Sequence, residues 1–187
     1  MDLLEPSYPP DNLQNFLPAA NVLEHFRGIH TFIFDVDGVL TNGNVLITEK
    51  GELLRSMSVR DGYALKMAVQ EEYKILIITG GKSVGVLDRL RALGISDIVY
   101  GIDNKLKAYE EFLDAYDLHE DGILYMGDDL PDYQVLKRVG LSCCPHDAAP
   151  EILAMVKYIS PYKGGEGCAR DVIEKVMKLN GVWKGNG

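Results

Sequence analysis

A chain of 187 residues, 47% of them hydrophobic and 25% charged, is long enough to bury roughly 70% of its unfolded surface around one core, and a single domain spanning 1–187 is expected. A formal net charge of −9 and a pI near 4.9 exclude a nucleic-acid or anionic-membrane surface, which would need basic patches. No apolar run approaches the roughly 20 residues of a membrane span, and the N-terminus lacks the pattern of a secretory signal, so a cytoplasmic protein is expected.

In chain order, residues 1–28 read as an arm or helix ahead of the core, and "TFIF" (31–34) as a buried strand that ends at Asp35-x-Asp37. Residues 41–60, "TNGNVLITEKGELLRSMSVR", carry apolar runs on either side of Glu49-Lys50-Gly51 and predict a β-hairpin flap. A second strand at 74–79 ends at Thr79-Gly80-Gly81-Lys82. Val84, Leu87, Leu90 and Leu93 then recur every third residue before Gly94, the stripe of an amphipathic helix. A third strand at 97–100 precedes Asn104-Lys105, which opens a helix with the stripe Leu106, Tyr109, Phe112, Leu113 and Tyr116. Strands follow at 123–126, ending at "GDDLPD" (127–132), and at 140–144. Val172, Ile173, Val176 and Leu179 mark a last helix stopped by Asn180-Gly181, with 181–187 as a flexible tail. Strands alternating with helices predict an α/β fold: a Rossmann-like doubly wound parallel sheet, with the small hairpin and no cap domain.

Polar groups gather where these strands end, the place where an open α/β sheet binds ligands. Asp35, Asp37, Asp128, Asp129 and Asp132 bring so much acid into one crevice that a hard cation is needed, and all-oxygen ligands point to Mg²⁺. Thr79 and the amides of Gly80 and Gly81 can surround phosphate oxygens, and Lys105 adds a point charge for the same group. One aspartate can then attack phosphorus while a second carboxyl protonates the leaving alcohol and later activates water. The three cysteines, Cys143, Cys144 and Cys168, lack metal-site spacing and read as packed thiols; the four histidines are scattered.

DVDGVLT, IITGG, NK and GDDLPD, in this order over about residues 31–180, resemble the four motifs of the haloacid dehalogenase superfamily of phosphotransferases. The resemblance implies Asp35 as nucleophile, Asp37 as general acid/base, and Thr79, Gly80 and Lys105 as phosphate binders. It implies Asp35, the backbone carbonyl of Asp37, and Asp128 as metal ligands, with Asp129 and Asp132 in support. Neither gap between motifs has room for a cap. The hairpin, "VRDGYALK" and "GGEGCARDVIEKV" further resemble the capless subfamily that dephosphorylates 3-deoxy-D-manno-octulosonate 8-phosphate (Kdo 8-phosphate) for bacterial lipopolysaccharide synthesis. That likeness implies a sugar-acid phosphate as the small-molecule partner and a homotetramer.

Many members of that subfamily read TGRK and GGRG where this chain has Gly81 and Glu166, so two arginines that could meet the sugar-acid carboxylate are replaced. Arg60 and Lys82 are the remaining candidates for the leaving group. A glutamate like Glu166 occurs in relatives acting on a nine-carbon keto-deoxy sugar acid 9-phosphate, the alternative substrate. A non-enzymatic phospho-acceptor is the third reading, and the Asp35-x-Asp37 order argues against it.

Overall fold

The computed structural model describes residues 23–183. The elements in chain order are β1 (Thr31–Phe34), β2 (Leu46–Ile47), β3 (Leu53–Leu54), α1 (Val59–Gln70), β4 (Lys74–Thr79), α2 (Val84–Ala92), β5 (Asp97–Tyr100) and α3 (Lys105–Tyr116). There follow β6 (Ile123–Met126), α4 (Tyr133–Leu136), β7 (Leu141–Cys144), α5 (Pro150–Leu153), β8 (Tyr158–Ile159) and α6 (Cys168–Leu179). Six strands form one sheet in the order β5-β4-β1-β6-β7-β8, every pairing parallel, and β2 and β3 make a separate antiparallel ribbon. The chain leaves β1 for one edge and returns to β1's other side for β6, so the order reverses there and opens a crevice at the carboxyl ends of β1, β4 and β6.

Alternation along each strand splits the core into two layers. Phe32, Phe34, Ile75, Ile77, Leu124 and Met126 pack with Leu65 and Ala68 of α1 and with Val172, Ile173 and Val176 of α6. Ile33, Leu76, Ile78, Ile123 and Tyr125 face the opposite way, onto Tyr109 and Phe112 of α3 and Val135 and Leu136 of α4. Burial on both faces is what a parallel sheet requires, and it is why these strands read as unbroken apolar runs.

Several expectations need adjusting. In α2 the buried positions are Val86, Leu87 and Leu90, while Val84 is exposed, because the inner face starts two residues later. Helix α1, capped by the Ser58 hydroxyl accepting from the Asp61 amide (3.3 Å), was not expected from the sequence, nor was the two-residue edge strand β8. The hairpin lies where expected, but its strands are two residues each. Phe26 of the expected N-terminal arm is fully buried with its ring edge-on to Tyr158, and Val182 and Trp183 of the expected tail pack against the core. The arm before residue 23 and the tail beyond 183 lie outside the described residues. Among the described residues, a short kinked turn at Val36–Leu40 and the ribbon stand between β1 and α1, and no helix is long and apolar enough to cross a membrane.

Candidate active site

The chain turns sharply after β1. The Asp35 amide continues the ladder to Met126 C=O (3.1 Å), and the Thr41 amide closes the following loop onto Val36 C=O (3.0 Å). Gly38 sits inside that loop at φ +88, and a Cβ there would stand 2.0 Å from Asp128 Oδ2, so only glycine fits beneath the acid. Gly164 and Gly165 brace the loop from behind: a Cβ on Gly164 would come 1.9 Å from Gly38 O, and the Gly165 amide donates to Val39 C=O at 2.9 Å. The first two glycines of "GGEG", Gly164 and Gly165, are therefore backbone spacers for the acidic loop.

Asp35 is 7% exposed, and its Oδ2 lies 2.7 Å from Lys105 Nζ. Asn104 caps α3 by accepting from the Lys107 amide (3.1 Å), which sets Lys105 at the first helical position, pointing into the crevice. Lys105 Nζ also reaches Asp132 Oδ1 at 2.6 Å. Asp132 is completely buried. Its Oδ1 takes a second donor, the Tyr125 hydroxyl (2.5 Å), and its Oδ2 accepts from the amides of Asp128 (3.1 Å) and Asp129 (3.4 Å). Burial alone would lower the Lys105 pKa, but Asp35 and Asp132 together raise it, so the ammonium stays charged.

Burial, with the neighbouring carboxylate charges of Asp132 and then Asp35 respectively, pushes Asp35 and Asp128 each up to about 7. One oxygen of Asp128, Oδ1, is buried with no hydrogen-bond partner among the described residues. Carboxylate oxygens of Asp35, Asp128 and Asp132 fall within 4.8 Å of one another. Asp132 already accepts four hydrogen bonds, so Asp35 and Asp128 carry the free lone pairs. An orphaned buried carboxylate oxygen in an all-oxygen cluster suits a small hard cation.

Thr79 is 3% exposed, and its hydroxyl accepts from the Gly81 amide at 3.0 Å. That amide is thereby engaged, contrary to the expectation that it faces a ligand, and the Thr79 hydroxyl proton remains to donate. Asp37, Gly80 and Gly81 line a cleft of about 510 Å³ together with Asp35, Thr79, Lys105, Asp128, Asp129, Gly43, Ile102, Asp103 and Pro131. Asp129 is at the rim, where it caps a short turn by accepting from the Leu130 amide (2.8 Å).

The two expected leaving-group cations are not in this cleft. Arg60 is exposed and lines a separate cavity of about 290 Å³ with Tyr162, Glu166, Gly167, Arg170 and Asp171. Lys82 is exposed and lays its stem over Gly101, because a glycine at 101 leaves that surface bare. Asp61 of "VRDG" is buried and serves the fold, accepting from the Gly167 (3.2 Å) and Arg170 (2.7 Å) amides at the start of α6.

Three residues escaped the sequence reading: Arg55, whose guanidinium clasps Asp37; Tyr125, whose hydroxyl holds Asp132; and Asp103 in the cleft wall. Tyr125 lay inside an apolar strand and looked like core. Arg55 lies in the flap's second arm, 18 residues from Asp37, with no local pattern to single it out.

The switch-point crevice and its acid–lysine cluster define a hydrolase of the haloacid dehalogenase-like class, and residues 94–171 match the family described as haloacid dehalogenase-like hydrolase. The 3-deoxy-D-manno-octulosonate 8-phosphate phosphatase KdsC of Escherichia coli K12 is 36% identical over 163 residues, 87% of each chain. The crystal structure of the Yersinia pestis phosphatase of that name superposes with a TM-score of 0.85 at 34% identity, covering 88% of this chain and 89% of that one. A Moraxella catarrhalis structure, described as the same phosphatase in complex with a magnesium ion, a phosphate ion and Kdo, gives 0.82 at 31% identity over 86% and 92%. This chain belongs to the 3-deoxy-D-manno-octulosonate 8-phosphate phosphatase family.

Proposed function

We propose that this protein hydrolyses Kdo 8-phosphate to Kdo and inorganic phosphate with Mg²⁺ bound. The observation that carries the reading is Lys105 Nζ set 2.7 Å from Asp35 Oδ2 beside the unpartnered Asp128 Oδ1. A buried nucleophile, a phosphate-neutralising cation and a vacant oxygen ligand meet in one cleft, in a chain whose relatives carry that enzyme's name.

The phosphate enters against Lys105, the Thr79 hydroxyl and the Gly80 backbone. An Asp35 oxygen attacks phosphorus, the P–O bond to the sugar breaks, and Asp37 gives its proton to the departing alkoxide. In the second step Asp37 takes a proton from water as that water attacks phosphorus. The bond to Asp35 then breaks, and phosphate leaves with the free carboxylate restored. Asp35, Asp128 and the Asp37 carbonyl would hold Mg²⁺, which when bound offsets the clustered acid and the charge developing on the phosphoryl oxygens. Asp132 keeps Lys105 aimed, and Asp129 supports only the turn that carries Asp128.

Arg60 and Lys82 stand outside the cleft of their own chain, so a leaving-group role for them needs a neighbouring copy or a movement of the rim. A homo-oligomer suits the flap, where Leu46 and Ile47 are 67% and 68% exposed and Leu53 and Leu54 about half exposed. The family resemblance supplies the number four. Three buried unpaired thiols suit a reducing cytoplasm.

The test is phosphate release from Kdo 8-phosphate with Mg²⁺, set against a nine-carbon keto-deoxy sugar acid 9-phosphate and hexose phosphates. Highest kcat/KM on the eight-carbon substrate supports the reading; preference for the nine-carbon one replaces it.

A further inference from the structure

Lys105 is committed to Asp35 and Asp132, and Asp37 takes its cationic partner from the flap instead. Arg55 Nε donates to Asp37 Oδ1 at 2.6 Å and Nη2 to Oδ2 at 3.1 Å, a two-pronged contact, while Nη1 returns to the flap at Leu53 C=O (3.3 Å). The Arg55 side chain is 9% exposed although it comes from an otherwise exposed ribbon. Thr41 Oγ1, 3.5 Å from Asp37 Oδ1, is the other neighbour of the carboxylate. Gly81 leaves room for the pair: a Cβ there would stand 3.2 Å from Asp37 Oδ2 and 3.7 Å from Arg55 Nη2, and a longer side chain would compete for the same space.

We propose that Arg55 is a positioning residue for Asp37, its fork fixing the plane of the acid/base carboxylate; this rests on the phosphatase reading above. A carboxylate on the short loop around Gly38 can turn about its own side-chain bonds, and proton transfer fails unless the oxygen faces the leaving group within hydrogen-bond reach. A planar guanidinium bound to both oxygens removes that freedom, which a single point charge does less well. Because the fork is also tied to the flap backbone, the arrangement of the ribbon is transmitted to the acid/base.

The experiment compares kcat/KM for an alkyl phosphate, whose alcohol must be protonated to leave, with that for 4-nitrophenyl phosphate, whose phenolate leaves without help. Arg55→Met keeps the aliphatic stem and removes the fork. It should lower the alkyl value about 100-fold, the scale of a lost general acid, and the aryl value by less than about threefold. Arg55→Lys should restore the alkyl value to within about tenfold of wild type. In an Asp37→Asn background, Arg55→Met should cost nothing further. Equal losses on the two substrates, no loss on either, or an added loss in the Asp37→Asn background would each overturn the proposal. A wild type that cleaves alkyl phosphates but not Kdo 8-phosphate would sink the substrate reading and leave the Arg55 ratio measurable. One that cleaves no phosphate monoester would sink both.

Discussion

Replacing Asp132 by asparagine should damage stability and turnover together, while the same change at Asp129, three residues away, should do little. Asp132 is fully buried and accepts from four donors: Lys105 Nζ, the Tyr125 hydroxyl and the amides of Asp128 and Asp129. An asparagine offers one oxygen and turns an NH₂ toward two of those donors. Either the Lys105–Tyr125 side or the backbone side therefore loses its acceptor, and the Lys105 ammonium, 6% exposed, keeps only Asp35. Removing one partner of a buried ion pair costs about 3–5 kcal/mol. The surviving Asp35 contact brings the expectation to about 3 kcal/mol, or roughly 6–12 °C in Tm for a chain of this length. Asp129 accepts at the rim from the Leu130 amide and, in a capping box, from the backbone of Asp132, roles that an asparagine oxygen can also fill, so Asp129→Asn, itself a good cap, should cost about 0.5 kcal/mol or less. Urea melts of the two variants give the stabilities, and phosphate release should show Asp132→Asn with a lower kcat and a higher KM as Lys105 loses its aim. An Asp132→Asn protein within about 1 kcal/mol of wild type and with unchanged kinetics would refute the reasoning that this carboxylate organises the site.

Asp35→Asn should abolish turnover, read as phosphate release, while the protein stays folded, since the amide keeps the shape and the Lys105 ammonium retains Asp132. Metal-free protein should lose stability as pH rises from about 4 to 7. Asp35 and Asp128 are raised from 3.8 to about 7 in the fold, so the folded state binds more protons than the unfolded one across that window and gives them up at its top. Saturating Mg²⁺ should flatten the fall, on the order of a few kcal/mol, and Mg²⁺ binding near pH 6.5 should release protons in calorimetry run in two buffers. EDTA should remove activity, and Asp128→Ala should weaken Mg²⁺ affinity most among the acids. Leu46→Lys combined with Ile47→Lys should yield smaller species in light scattering, because both side chains are about two-thirds exposed on the ribbon; unchanged mass would remove the flap from the interface.

How much of this was legible in the sequence depended on whether a residue's role showed in its local pattern. The strand ends were readable because a parallel sheet buries both faces, leaving Asp35, Thr79 and Asp128 as the first polar residues after apolar runs. Asn104-Lys105 was readable as a helix start, and the cap places the lysine. Arg55 was not, because its partner is 18 residues away and a two-residue strand carries no alternation that would assign it a face. Tyr125 shares the apolar composition of its strand, and only the tertiary placement of Asp132 shows what its hydroxyl does. Arg60 and Lys82 flank strand-end motifs in sequence, yet Arg60 lines a separate cavity and Lys82 lies over Gly101. Gly164 and Gly165 of "GGEG" explain themselves only once the loop they brace is in place.

The central claim is that Asp35 carries the phosphoryl group between substrate and water. Rapid acid quench during turnover of Kdo 8-phosphate, borohydride reduction and peptide mapping test it directly, because reduction converts an aspartyl phosphate to homoserine. Homoserine at position 35, formed only when substrate and Mg²⁺ are both present and absent from Asp35→Asn, is the predicted result. Phosphate released at the wild-type rate with position 35 recovered as aspartate and homoserine found at another acid would contradict it.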